Sequence, residues 1–150
     1  MIKIYVSPSC SSCRKVKKWF DERKIPYEEK NIFTSTLKEE ELRDILTKSE
    51  NGTDDIISSK SKIMKEQKVD FDSMSISQMI NFIRQNPSVL KRPIMVDDEH
   101  DRMQVGYNAD DIRIFIPKAQ RELDMMCYAQ ECMKQAEKER QRLSKDFTNL

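Results

Sequence analysis

No apolar run in this chain is long enough to cross a bilayer, and no signal-peptide pattern opens it. A cytoplasmic location with no membrane partner is the expectation. Neither sign of charge dominates: 27 lysines and arginines face 26 aspartates and glutamates, a formal net charge of +1. That excludes a global field drawing the whole chain to nucleic acid. Internal repeats and low-complexity linkers are also lacking. Glycine is scarce, with Gly52 one of only two. Charged residues make up 35% and hydrophobic ones 37% of 150 residues, enough for one core under an ionic surface.

What is present is Cys10-Ser11-Ser12-Cys13, and its surroundings give it meaning. It follows an alternating apolar run, Ile2-Lys3-Ile4-Tyr5-Val6, and precedes an amphipathic stretch, Arg14 to Arg23, with Val16, Trp19 and Phe20 at helical spacing. A strand ends, Ser7-Pro8-Ser9 turns, and a helix opens on two thiols. Cysteine there faces unpaired backbone N–H groups and the positive end of the macrodipole, and both favour thiolate. Arg14, Lys15 and Lys17 add positive charge. Two cysteines three apart on a first turn can close a disulfide with little backbone movement. Cys10, nearer the exposed helix start, is then the attacking thiol and Cys13 the resolving one. On residues alone two other readings stay open. One is a pair of small buried hydrophobes. The other is a zinc half-site completed from Cys127, Cys132 and His100, although Cys127-x-x-x-x-Cys132 is looser than usual zinc spacing.

Along the rest of the chain, Ile25-Pro26 ends the first helix and Tyr27 to Ile32 reads as a second strand. Thr36-x-x-Glu39 is a capping box before a stripe of Leu37, Leu42, Ile45 and Leu46. Asn51-Gly52-Thr53 is a turn or helix C-cap, with Gly52 expected in the left-handed helical region. The basic stretch Ser58 to Lys68 reads as a short helix. Ser75-x-x-Gln78 is a second capping box, and Asn86-Pro87 ends its helix. A strand opened by Pro93 runs to Val96, Asp97 to Asp101 turns, and Met103 to Val105 returns as a hairpin. Gly106-Tyr107-Asn108 leads into a helix carrying Ile112, Phe115 and Ile116. The order β-α-β, helical insertion (about 34–88), β-β-α predicts an α/β, thioredoxin-like domain over 1–117. Residues 118–150 read as a charged helical or partly disordered tail. Cys127 and Cys132 read there as free thiols or core-facing residues, beside Met125, Met126, Tyr128 and Met133, a soft cluster that is either padding or partner-binding.

Taken together, Ser7 to Lys15, Glu29 to Phe33, Gly52 to Ser58, Arg92-Pro93-Ile94 and Gln104 to Asn108 resemble the Spx proteins, the redox-responsive branch of the arsenate-reductase-related thioredoxin-like family. The likeness spans about the first 117 residues. It implies that Cys10 and Cys13 form a regulatory disulfide, with Arg92 and Arg14 supplying nearby charge. It implies that Gly52 lies on a surface docking the C-terminal domain of the RNA polymerase α subunit. It places Lys60 and Lys62 near promoter DNA within the polymerase complex. On chemistry alone those lysines, alternating with serines, offer donors to phosphate, while the lack of interleaved aromatics disfavours single-strand stacking. The resemblance also raises a protease or adaptor acting on the C-terminal tail. No metal or cofactor is expected, and no enzymatic activity. The alternative is a thiol-disulfide or arsenate reductase of the same fold. Lysine rather than arginine at position 60 weakens the arsenate case, because an ammonium cannot bind an oxyanion through a bidentate fork.

Overall fold

The computed structural model describes residues 1–35 and 37–148, with side chains as far as 145. Strand β1 (Ile2–Val6) leads through a turn to helix α1 (Ser11–Glu22), which returns to strand β2 (Tyr27–Asn31). The helices α2 (Glu39–Lys48), α3 (Thr53–Ile56), α4 (Lys62–Glu66) and α5 (Ile76–Gln85) follow. The hairpin β3 (Ile94–Asp97) and β4 (Arg102–Val105) comes next, and then helix α6 (Lys118–Thr148). The sheet order is β2-β1-β3-β4. β2 runs parallel to β1, whereas β3 is antiparallel to both β1 and β4. The chain divides into two compact units, residues 1–113 and the segment from Ile114 onward.

Alternation along β1 sends its side chains to opposite faces. Tyr5 shares one face with Ile94 and Val96. There they join Leu42 and Ile45 of α2 and Ile80 and Ile83 of α5 in one buried cluster. Ile2 and Ile4 turn to the other face. Tyr27, the register partner of Ile2, meets Phe20 of α1 edge-on with centroids 5.5 Å apart. Helices therefore cover both faces of the sheet. A right-handed β-α-β crossover requires α1 to cross one face, which leaves the other to the inserted helices.

Local chemistry sets the helix ends. α1 stops in a Schellman motif. Lys24 takes φ 53°, its N–H donates to Asp21 O at 3.1 Å, and the Ile25 N–H reaches Phe20 O at 3.1 Å. The capping box expected at Ser75 and Gln78 forms in both directions. That expected at Thr36 and Glu39 falls partly on Thr36, outside the described residues. The N-cap position of α2 is Lys38, whose side chain makes no capping bond. Three glutamates in its first turn, Glu39, Glu40 and Glu41, complement the dipole instead. Two expected helices are shorter than the pattern suggests. The basic stretch is helical over five residues only, opened by Ser61, and the segment with Ile112 is a 3-10 turn, Asp111–Phe115.

One charged cluster seals the sheet beside Tyr5. Its hydroxyl donates to Glu41 Oε2 at 3.4 Å, and Glu41 also pairs with Lys30. Burial, then the Glu41 carboxylate, pushes the Tyr5 phenol well above its ordinary value. Lys48 bonds Asp44 and meets Asp98 at 3.3 Å. Burial opposes its charge, but hydrogen bonds to the two aspartates outweigh it and raise its pKa.

Phe20 is fully buried and ties α1 to the sheet. Phe20→Ala is expected to cost roughly 3–5 kcal/mol, the usual range for deleting a buried aromatic. Urea unfolding measures it, and a loss under about 1 kcal/mol would mean that α1 does not depend on this contact.

Candidate functional site

The antiparallel pairing of β1 with β3 brings the end of β1 beside the start of β3, with Tyr5 opposite Ile94. Ser7-Pro8-Ser9-Cys10 continues from the first, and Arg92-Pro93 precedes the second across a cis peptide bond. The end of β4 adds Val105 and Gly106, held where the Gly106 N–H donates to Pro93 O at 2.8 Å. A cleft of about 740 Å³ opens at this end of the sheet, lined by Ser7, Cys10, Ser58, Lys60, Lys91 and Arg92 among others.

Cys10 is the N-cap of α1, and its Sγ accepts the Cys13 N–H at 3.2 Å. That N–H would also hold a negatively charged sulfur. The two sulfurs are joined, with Cα atoms 5.2 Å apart, well within the span a disulfide requires. Cys10 is half-buried at the cleft wall, while Cys13 is buried on the inner face of α1 with Val16 and Phe20. Reductant arriving from solvent therefore meets Cys10 first.

Arg92 shares the cleft with Cys10, but its guanidinium is held elsewhere. Nη1 donates to Ser7 Oγ at 3.0 Å, and the group lies over the Phe33 ring at 5.6 Å. Ser7 is itself buried. Arg14, by contrast, is exposed and outside the cleft lining, and only its backbone N–H reaches back to Cys10 O. The two candidate lysines also part company. Lys60 lines the cleft, whereas Lys62 stands on α4, exposed, 3.8 Å from Glu66. Cys127 and Cys132 are free and exposed rather than core-facing. Among the described residues, the side chains grouped closely enough to share a metal ion are Asp97, Glu99 and His100, without a cysteine. No described helix is long and apolar enough to cross a membrane.

Of the two roles expected for Gly52, turn or helix C-cap, the structure gives the turn. Gly52 does not close α2, whose C-cap is Ser49. It opens α3, with φ 64° and ψ −131°. That is positive φ outside the left-handed helical well, a conformation that only glycine adopts readily. A Cβ built there would meet nothing within 4 Å, so no neighbour inside the chain demands the missing side chain. Asn51 braces the turn. Its N–H donates to Asp55 Oδ2 at 2.9 Å and its amide to Oδ1 at 3.2 Å.

The Gly52 turn and the cysteine cleft are bound to each other through backbone. Ile57 bridges Leu90, the Ser58 N–H donates to Val89 O at 2.8 Å, and the Lys91 N–H to Ile56 O at 2.7 Å. The Lys91 ammonium adds a bond to Asp54 O at 2.9 Å. Sequence reasoning passed over Lys91, Ser7 and Phe33. Ser7 and Phe33 lie within the stretches that carry the resemblance and Lys91 directly precedes one, which was the available signal, but the bridge that makes Lys91 matter joins segments far apart in sequence.

Comparison with known proteins places this geometry in context. The model of the ArsC family matches residues 5–115. The "Global transcriptional regulator Spx" of Streptococcus pneumoniae R6 is 48% identical over 125 residues, 83% of this chain and 92% of that protein. "Global transcriptional regulator Spx 1" of Lactococcus lactis is 44% identical over 126 residues, 84% of this chain and 97% of that protein. Among solved structures, arsenate reductase from Vibrio cholerae superposes with a TM-score of 0.63 at 17% identity, covering 77% of this chain and 94% of its own. An ArsC family related protein from Bacteroides fragilis gives 0.65 at 24%, covering 76% and 96%. These superpositions establish the arsenate-reductase type of thioredoxin-like fold.

The brace on the Gly52 turn is pH-dependent. Hydrogen bonds from the Asn51 backbone and side chain hold the Asp55 carboxyl below its ordinary value of 3.8. A depressed folded value means that the stabilisation is complete above 3.8 and is lost as pH falls below it. The protection factor of the Asn51 amide in hydrogen exchange is therefore expected to drop on acidification through that range. Asp55→Ala should remove the pH dependence, and an unchanged acid profile in that variant would show that the brace is not Asp55.

Proposed function

This chain belongs to the ArsC family and to its Spx branch, and on that premise we propose that it is a redox-gated regulator of transcription rather than an enzyme. It docks the C-terminal domain of the RNA polymerase α subunit through the surface around Gly52. The Cys10–Cys13 bond gates its action under thiol stress. Lys60 and Lys62 meet promoter phosphates only within the polymerase complex. Two phosphate contacts alone give weak, salt-sensitive binding, so polymerase has to supply the rest. A protease or adaptor recognising the C-terminal segment, whose last two residues lie outside the described ones, would limit its lifetime.

The observation that carries this reading is the Ile57–Leu90 bridge. It ties the open Gly52 turn to the strand start bearing Arg92, which shares a cleft with Cys10. Reduction or closure of the Cys10–Cys13 bond changes the first turn of α1 and one wall of that cleft. Arg92, already bonded to Ser7 three residues before Cys10, is placed to re-pair. Arg14 adds charge on the exposed side of the same helical turn. Bare backbone at Gly52 suits close approach of a partner, since the chain itself leaves that space open.

The reductase alternative shares the same cleft. Against arsenate chemistry stands Lys60, a point charge where an oxyanion site gains most from a guanidinium.

Two variants test the docking surface. At φ 64° any side chain at position 52 strains the backbone by about 1–3 kcal/mol, so Gly52→Ala serves as the control for stability. Gly52→Arg is expected to weaken binding to the isolated α domain by about a hundredfold, as a blocked interface centre does. Gly52→Ala, equally strained but short, is expected to stay within about tenfold of wild type. If the arginine variant binds as well as the alanine variant while both remain folded, the docking site lies elsewhere. For the switch, Cys10→Ala should bind polymerase in reducing buffer yet lose its transcriptional response to diamide. An intact response would remove Cys10 from the mechanism.

A further inference from the structure

Helix α6 spans 31 residues, Lys118–Thr148, and Leu123, Met125, Met126, Met133 and Leu143 on it are all exposed. A helix so solvated has little tertiary packing to sustain it and gains most by association. Its residues carry a seam at 3.5-residue spacing that a hydropathy average hides. Positions a are Ala119, Met126, Met133 and Arg140, and positions d are Glu122, Ala129, Ala136 and Leu143.

The seam is self-complementary in one orientation. When two copies lie antiparallel, each a position faces a d position of the other helix. With the two-fold axis at Glu131, Met126 faces Ala136, Met133 faces Ala129, and Leu143 faces Ala119. Every large side chain meets a small one, as close packing of facing layers requires. The remaining layer sets Glu122 against Arg140, opposite charges. A parallel pair would instead stack Glu122 on Glu122, Arg140 on Arg140, and methionine on methionine. Among the described residues of the single chain, Glu122 has a long contact to Lys118, 3.8 Å away with both side chains exposed, which is weak enough to exchange.

We propose that α6 is a homodimerisation helix, pairing antiparallel with a second copy of this chain through the Met126–Ala136, Ala129–Met133 and Glu122–Arg140 layers. Because the two-fold axis repeats every contact, one reversed charge is felt twice. The same register sets Cys132, flanking the seam, beside Cys132 of the second copy near the axis. Cys127 lies on the opposite side of the helix, away from it.

Sedimentation equilibrium of the full chain in reducing buffer, at about 100 µM and below, is the test. The expected result is a species of twice the 17.8 kDa chain mass. Glu122→Arg and Arg140→Glu, each replacing one good helix former with another, are each expected to weaken self-association by about tenfold or more. The double variant Glu122→Arg/Arg140→Glu should restore it. In a Cys10→Ser/Cys13→Ser background, diamide should cross-link the chain through Cys132 and not through Cys127. A monomer throughout that concentration range overturns the proposal. So does a dimer indifferent to both single charge reversals, a double variant that fails to regain association, or cross-linking that survives Cys132→Ser.

Discussion

The antiparallel register of β1 against β3 decides where the chemistry of this molecule can occur. With Tyr5 opposite Ile94 and Ile4 opposite Met95, the chain leaving β1 and the chain entering β3 meet at one end of the sheet. Cys10 comes from the first and Arg92 from the second. A slip of one residue would turn Tyr5 away from the α2–α5 cluster and bring Ile4 into it, so burial on both faces pins the register. The cleft is thus a consequence of core packing rather than of any contact within the cleft itself. Its own contacts are local: the Cys10–Cys13 bond and the Cys13 N–H to Cys10 Sγ, the Arg92 hydrogen bond to Ser7 with the Phe33 ring beside it, and the Gly106 N–H to Pro93 O.

The same logic extends to the Gly52 turn. The inserted helices could in principle vary in position without disturbing the sheet. The backbone bonds between 56–58 and 89–91 prevent that by making the chain leaving α3 nearly an extra strand beside the approach to β3. The turn at Gly52 is consequently held at a defined place while remaining open to solvent. Asp55 and Lys91 bind it from two sides, one through the Asn51 brace and one through the Asp54 carbonyl. A surface so fixed, with no side chain at its apex, favours recognition by rigid contact over recognition by folding on binding.

Sequence made the local features legible. The thiol-bearing start of α1, the Ser75 capping box and the β3–β4 hairpin rest on interactions between near neighbours in the chain, and β1 announces itself by its apolar alternation; each lies where periodicity and capping residues put it. The thioredoxin-like order followed from those elements. Features set by distant partners were not legible. Glycine at 52 signalled a special backbone, but only ψ distinguishes the left-handed well from the conformation observed, and residue type does not report ψ. α4 lies against the 87–89 turn, a contact between distant segments that no helical propensity reports. Lys91 gave no signal of its own, because the Asp54 carbonyl it reaches lies 37 residues away. Along α6, alanine and methionine alternate with charge, so the pattern reads as solvated helix until the facing layers are written out.

The central claim is that this fold serves as a redox-gated partner of polymerase and not as a reductase. Titration of the wild-type chain with the isolated C-terminal domain of the RNA polymerase α subunit, once with Cys10 and Cys13 reduced and once joined, tests it most directly. Saturable binding of about micromolar affinity or tighter in at least one redox state is the predicted result, and any difference between the two states would locate the gate at docking. Absence of binding in both states, from protein that is folded in each, would contradict the account and move the cleft to the reductase alternative.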